Sequence, residues 1–155
     1  VFSCMDSEIG ANSLVTLINQ RRVEDKTYDL TQFGGVVFTR ADNAEVNTIE
    51  DIRSKRVGCL SIASLGAGLL QFQLLKQAGI HYMQDVKQLM FMKTQGDVVN
   101  GVISGKIDVG FVRTDQLERT IDDRTGELLD MSEIKVIGAQ EGLESNGAPF
   151  PFSCS

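Results

Sequence analysis

Arg56-Val-Gly-Cys-Leu-Ser-Ile-Ala-Ser64-Leu-Gly-Ala-Gly68 decides how this chain is read. A short apolar run ends in small hydroxyl residues and passes through glycines into the helical pattern Leu69-Leu-Gln-Phe-Gln-Leu-Leu-Lys-Gln-Ala-Gly79. The design recurs: Gln88-Leu-Met-Phe-Met-Lys-Thr94-Gln95-Gly96 leads into Asp97-Val-Val-Asn-Gly-Val-Ile-Ser-Gly105. A third strand, Lys106-Ile-Asp-Val-Gly-Phe-Val112, ends in Arg113-Thr114-Asp115. Strands separated by helical periodicity predict an α/β fold, with a mostly parallel sheet covered by helices on both faces. Right-handed crossovers then bring the strand-end loops to one rim. Unpaired N–H groups and the positive dipole ends of the helices favour a small anion there. Such an edge binds ligands and does no chemistry by itself.

Outward from this core, Val1–Gly10 reads as a helix and Ser13-Leu-Val-Thr-Leu-Ile-Asn19 as a strand. Gln20 to Gln32 reads as a charged, turn-rich connection. Phe33-Gly-Gly-Val-Val-Phe-Thr39 reads as a strand in which Gly34 and Gly35 permit close backbone approach. Thr48-Ile-Glu-Asp-Ile52 suggests a short helix with Thr48 as its cap. Beyond the core, a last helix is expected over 113–122, a turn at Asp123-Arg-Thr-Gly126 and a strand at Glu133–Gly138, before an irregular tail over Ala139–Ser155.

Composition narrows the function. An apolar fraction of 42 % and a charged fraction of 23 % over 155 residues are those of an ordinary globular domain. A net charge of −6 argues against nucleic acid or an anionic membrane surface as the main partner. No apolar run approaches the roughly 20 residues of a membrane span. The abrupt ends, Val1-Phe-Ser-Cys4 and Pro151-Phe-Ser-Cys-Ser155, read as those of a portion of a longer polypeptide. Three cysteines lack the paired spacing of a zinc site, so no metal or cofactor is expected. Cys59 in its apolar strand reads as a buried free thiol. Cys4 and Cys154 are available to pair in an oxidising compartment, and sequence alone does not fix the pairing.

The candidate site comprises two loops. In the first, Ser61, Ser64, Gly66, Ala67 and Gly68 combine hydroxyl donors with exposable backbone N–H groups. The Gly-Lys-Ser/Thr ending of a nucleotide loop is missing, as is the third spaced glycine of a dinucleotide fingerprint. In the second, Thr94 and Gln95 precede Gly96. Either loop has a plain alternative as a helix cap. Asp108 is a carboxylate inside a strand, read as a ligand acceptor or as a structural acceptor for backbone N–H groups. Arg113, Thr114 and Asp115 either add charge and caps at the rim or form a solvated pair. His81, the lone histidine, reads as decoration of a surface turn. No nucleophile–histidine–acid set or separated carboxylate pair points to an enzyme.

On these residues the chain resembles the phosphate/phosphonate-binding family of periplasmic substrate-binding proteins. The resemblance is carried by Phe33-Gly-Gly-Val-Val-Phe-Thr-Arg-Ala-Asp42, Ile49-Glu-Asp-Ile-Arg-Ser-Lys-Arg-Val57, Ser61-Ile-Ala-Ser64-Leu-Gly-Ala-Gly68, Val98 to Asp115, and Ala148-Pro-Phe-Pro-Phe-Ser153. It implies a two-lobed, type II periplasmic-binding-protein fold that closes on a ligand held in a cleft. By that resemblance residues 1–35 are a remnant of the first lobe and the hinge, 36–138 the second lobe, and 139–155 a return toward the first. Relative to the family, roughly the first 50 to 80 residues are absent, within ordinary domain sizes. The implied function is extracytoplasmic binding or sensing of a small oxyanion, phosphate or a phosphonate, beside an ABC permease or attached signalling domains. Ser64 with the 66–68 backbone would be one side of the cradle, Thr94 and Gln95 another, and Asp108 an acceptor or structural partner. Thr94-Gln95 departs from the Ser-His often found in the family. The alternative is a structural or protein-interaction module that keeps the fold without the ligand.

Overall fold

The structure, a computed structural model, describes residues 18–23, 25–30, 33–139, 150, 151, 153 and 154. The expected helix over 1–10 and most of the strand over 13–19 lie outside these residues, as do Cys4 and much of the tail. The described residues fall into two compact units, divided in the sequence between residues 32 and 33.

In the smaller unit, β1 (Asn19–Val23) pairs antiparallel with β2 (Lys26–Leu30), so a hairpin replaces the expected connection. Its faces lack the apolar alternation that marks a half-buried strand. Polar cross-strand neighbours hold it instead, among them Gln20 Nε2 donating to Asp29 Oδ1 at 3.0 Å.

In the larger unit a five-stranded sheet runs β5–β4–β6–β3–β7. The strands are β3 (Gly35–Arg40), β4 (Arg56–Cys59), β5 (Gln88–Phe91), β6 (Val109–Arg113) and β7 (Ile134–Val136). β4 is parallel to both β5 and β6, while β3 runs antiparallel to β6 and β7. Four strands therefore point one way and β3 the other. Helix α1 (Leu70–Gln77) connects β4 to β5, and α2 (Gln95–Ile103) connects β5 to β6.

Strand periodicity explains the two cores, because successive side chains point to opposite faces. Val36, Phe38 and Val112 pack with Val98, Val99 and Val102 of α2. Val37, Val109 and Phe111 pack on the other face with Phe72 and Leu75 of α1. This is the α/β arrangement expected, a mostly same-direction sheet with helices on both faces.

Three local expectations are corrected. The helix expected over 113–122 shrinks to a 3-10 turn at Leu117–Arg119, since Asp115 adopts φ +70°, outside helical backbone. Thr48 does not cap a helix. Asp51 Oδ2 instead accepts the backbone N–H groups of Asn47 and Thr48, both at 2.9 Å, ahead of a 3-10 turn at Glu50–Ile52. The last strand begins at Ile134 and ends at Val136, two residues short of Gly138.

Candidate functional site

The ends of β4 and β5 stand side by side, with Cys59 opposite Phe91 and the Met92 N–H continuing the ladder onto Cys59 O at 2.9 Å. The two candidate loops leave from these neighbouring ends. The first folds back on itself, the Leu60 N–H donating to Ala67 O at 3.2 Å and the Leu69 N–H to Ser64 O at 2.8 Å. Gly66, Ala67 and Gly68 are buried in it, while Ser61 and Ser64 are half-buried. Ser64 occupies the cap position before this turn, yet its side chain makes no capping bond. Neither the Ser61 nor the Ser64 hydroxyl has a hydrogen-bond partner among the described residues.

Glycine is required here for space. A Cβ on Gly68 would overlap the Ser61 carbonyl oxygen, and one on Gly66 would lie 2.9 Å from both Arg113 Cβ and the Phe33 ring. Behind the loop stands Gln71, fully buried. Its Nε2 donates to Gly66 O at 2.8 Å and to Val112 O at 2.9 Å, tying the loop to β6. Its Oε1 is a buried polar atom with no hydrogen-bond partner among the described residues.

The second loop is a capping box. Thr94 Oγ1 accepts the Asp97 N–H at 3.1 Å, and Asp97 Oδ2 accepts the Thr94 N–H at 2.9 Å. A capping hydroxyl accepts through a lone pair and keeps its own O–H to donate. The first N–H groups of α2, on Gln95 and Gly96, have no acceptor within the helix. Gln95 Oε1 accepts the Arg113 N–H at 2.8 Å, so this side chain fastens α2 to the end of β6.

In sequence Arg113 reads either as charge and cap at the rim or as part of a solvated pair, and Phe33 only as the start of a strand. The structure brings both against Gly66, with the guanidinium 5.7 Å from the Phe33 ring centroid. Arg113 Nε also donates to Asp115 Oδ1 at 3.3 Å. Next to this pair, burial and the Asp115 charge push the Glu118 carboxyl up to about 6. The only sequence signal for Arg113 was a cation closing an apolar strand.

Asp108 is corrected as a member of the site. β6 begins at Val109, so Asp108 precedes the strand and stands at the opposite rim, where strands β4 and β6 start. Its Oδ2 accepts the Arg56 N–H at 2.8 Å and Arg56 Nε at 3.0 Å. The structural reading of this residue is the one observed. That rim has a polar hollow of about 530 Å³, and three of its four lining cations are paired: Arg40 with Asp42, Lys55 with Glu45 and Arg56 with Asp108, Lys87 being the fourth.

The hydrogen bonds of Arg56 hold the Asp108 carboxyl below its ordinary range. A depressed acid contributes stability that is complete above its unfolded pKa of about 4 and disappears as pH falls through the folded value. We expect Asp108→Ala to lower the melting temperature at pH 7 by several degrees, to flatten the decline of stability below about pH 4, and to leave oxyanion affinity unchanged. Thermal melts across pH with parallel calorimetric titrations check all three.

His81 is exposed, its Nδ1 accepting the Met83 N–H at 3.3 Å. Cys59 is a buried free thiol whose pKa burial pushes up to about 12. Cys154 is a free buried thiol too, and its backbone exchanges hydrogen bonds with Gly35. Among the described residues there is no cluster of histidine, cysteine and carboxylates able to hold a metal ion, and no helix long and apolar enough to cross a membrane.

Several solved structures share this fold, among them PhnD1, PA3383 and XAC2383. PhnD1 from Prochlorococcus marinus (MIT 9301), solved in complex with methylphosphonate, is 19 % identical with a TM-score of 0.56, over 79 % of this chain and 44 % of its own. The binding-protein component of an ABC phosphonate transporter, PA3383 from Pseudomonas aeruginosa, is 16 % identical with a TM-score of 0.54, over 68 % of this chain and 35 % of its own. XAC2383 from Xanthomonas citri, bound to ATP, is 15 % identical with a TM-score of 0.54, over 68 % of this chain and 40 % of its own. At these identities the likeness shows the fold, that of type II periplasmic binding proteins, and the aligned part is less than half of each relative. A comparison with curated proteins found no match. Residues 10–150 match the family described as ABC transporter, phosphonate, periplasmic substrate-binding protein, and the chain belongs to that family.

Proposed function

We propose that this chain supplies one lobe of an extracytoplasmic receptor that binds a small oxyanion, phosphate- or phosphonate-like, and presents it to an ABC permease. Residues 36–138 are the second lobe, 1–35 a remnant of the first lobe with the hinge, and 139–155 the return segment. One side of the ligand rests on Ser61, Ser64 and the Gly66, Ala67 and Gly68 backbone, and another on Thr94 and Gln95. No bond is made or broken in this reading. Neutral donors in a dry cleft gain strength over the same donors in water. Differential affinity for the closed state then converts binding into lobe closure, which would serve a signalling receptor equally well.

One observation carries the proposal: the half-buried hydroxyls of Ser61 and Ser64 have no hydrogen-bond partner among the described residues, on a loop that leaves beside the N-terminus of α2. Isothermal titration of the full-length protein with methylphosphonate, phosphate, sulfate and acetate tests it. A measurable affinity for at least one tetrahedral oxyanion is expected, and no binding by any of the four overturns it.

A second reading, a ligand-free interaction module, draws on a different observation. Ile62, Leu65 and Leu69 of the first loop are about half exposed, and Asp97 already places a carboxylate on the N-terminus of α2. Ser64→Leu with Thr94→Leu separates the two, because only the binding reading predicts lost oxyanion affinity.

A further inference from the structure

The neutral donors of the two loops meet an electrostatic obstacle. Asp97 caps α2 with one negative charge, and Asp115 buries another at the end of β6, its side chain 1 % exposed. An incoming anion therefore needs a cation that the fold has not fully spent. Arg113 is placed for this. Its backbone N–H fastens to Gln95 of the second loop, its Cβ packs at Gly66 of the first, and its guanidinium lies over the half-exposed Phe33 ring. Nε is engaged by Asp115, while the two Nη groups have no hydrogen-bond partner among the described residues. Lys93, between β5 and α2, lines a separate hollow with Phe91, Asp97 and Asn100.

From this convergence we infer that Arg113, oriented by Asp115 and by stacking on Phe33, sets the ligand's charge: the site takes oxyanions with uncharged apolar substituents and rejects those that carry an ammonium group. This rests on the proposed binding function. A guanidinium presents two N–H donors in a plane that matches two oxygens of one phosphonyl, sulfonyl or carboxyl group. A ligand ammonium would meet the same cation, while the partner acid Asp115 is buried, its side chain 1 % exposed. Phe33, with 46 % of its surface exposed, offers the ligand's alkyl group an apolar contact.

The probes are methylphosphonate and 2-aminoethylphosphonate, titrated calorimetrically into the full-length protein and its variants. Wild type is expected to favour methylphosphonate at least tenfold. Arg113→Gln loses most of that affinity and narrows the preference to less than threefold, while Arg113→Lys, which keeps the charge without the fork, loses less and keeps the preference. Ser64→Ala weakens both ligands alike. Unchanged affinity and preference in Arg113→Gln, or a wild type that favours the ammonium-bearing ligand, overturns the inference with the binding reading intact. Failure of wild type to bind either phosphonate, or phosphate or sulfate, overturns the binding reading and the inference with it. Near-ultraviolet dichroism of Arg113→Lys and Arg113→Gln matching wild type excludes misfolding as the cause of a loss.

Discussion

Gln71→Glu is expected to destabilise the protein by about 3–5 kcal/mol at neutral pH, the range for an uncompensated buried charge. Gln71 is fully buried, and its Nε2 faces the carbonyl oxygens of Gly66 and Val112. A carboxylate there sets negative oxygen against negative oxygen with no donor nearby, because the atom already standing in the Oε1 position has no hydrogen-bond partner among the described residues either. The acid escapes by staying protonated, so its folded pKa is raised. A raised acid pKa means that the variant is most stable below the unfolded value of about 4.3 and loses stability as pH rises toward the folded pKa. Gln71→Leu makes the control. It gives up the bonds of Nε2 but also removes the orphaned Oε1, and its cost is held to about 1–2 kcal/mol. Denaturant melts of the two variants at pH 4.5 and 7.5 check this, and a glutamate variant as stable as the leucine variant at pH 7.5 contradicts it.

Gly68→Ala is the second large effect, and it bears on binding as well as stability. The φ of Gly68, 174°, is extended backbone open to any residue, so dihedral strain is not the reason. The added methyl would overlap the Ser61 carbonyl oxygen, a backbone atom that has no rotamer to change. Relief requires the 61–68 loop to open, which moves Ser61 and Ser64 away from the end of β5. Overpacking of this kind costs about 1–3 kcal/mol. Displacement of donors by about 1 Å is expected to weaken oxyanion binding at least tenfold, since hydrogen bonds fall off steeply with distance and angle. Gly126→Ala is the contrast, because a Cβ there meets nothing within 4 Å and its φ of +76° limits the effect to local strain. Calorimetric titration with methylphosphonate and thermal melts of both variants check the pair.

How much of this was legible in sequence depended on whether the signal was local. The strand–loop–helix units after Arg56 and Gln88 announced themselves through apolar runs ending in hydroxyl and glycine residues, and both cores follow from that alternation. Asp108 was rightly read as a possible structural acceptor but wrongly placed inside the strand, because Ile107, Val109 and Phe111 continue one alternating pattern and nothing in it marks where pairing begins. The helix expected after Arg113 failed on one backbone angle, at Asp115, a residue type for which left-handed conformations cost little. The β1–β2 hairpin was missed because charged residues fill it. Ser64 reads in sequence as a cap, and only the geometry shows that its hydroxyl makes no capping bond. Arg113 and Phe33 meet at Gly66 across 47 and 33 residues of chain respectively, a convergence that no window of sequence contains.

The most direct test is nuclear magnetic resonance of the amide groups in isotopically labelled full-length protein, titrated with methylphosphonate. If the two loops hold the ligand, the saturable shifts concentrate at Ser64 to Gly68 and at Gln95 and Gly96, while Gly105 and Asp108 on the far rim stay still. Shifts centred on the far rim, or none at any residue up to millimolar ligand, would contradict it.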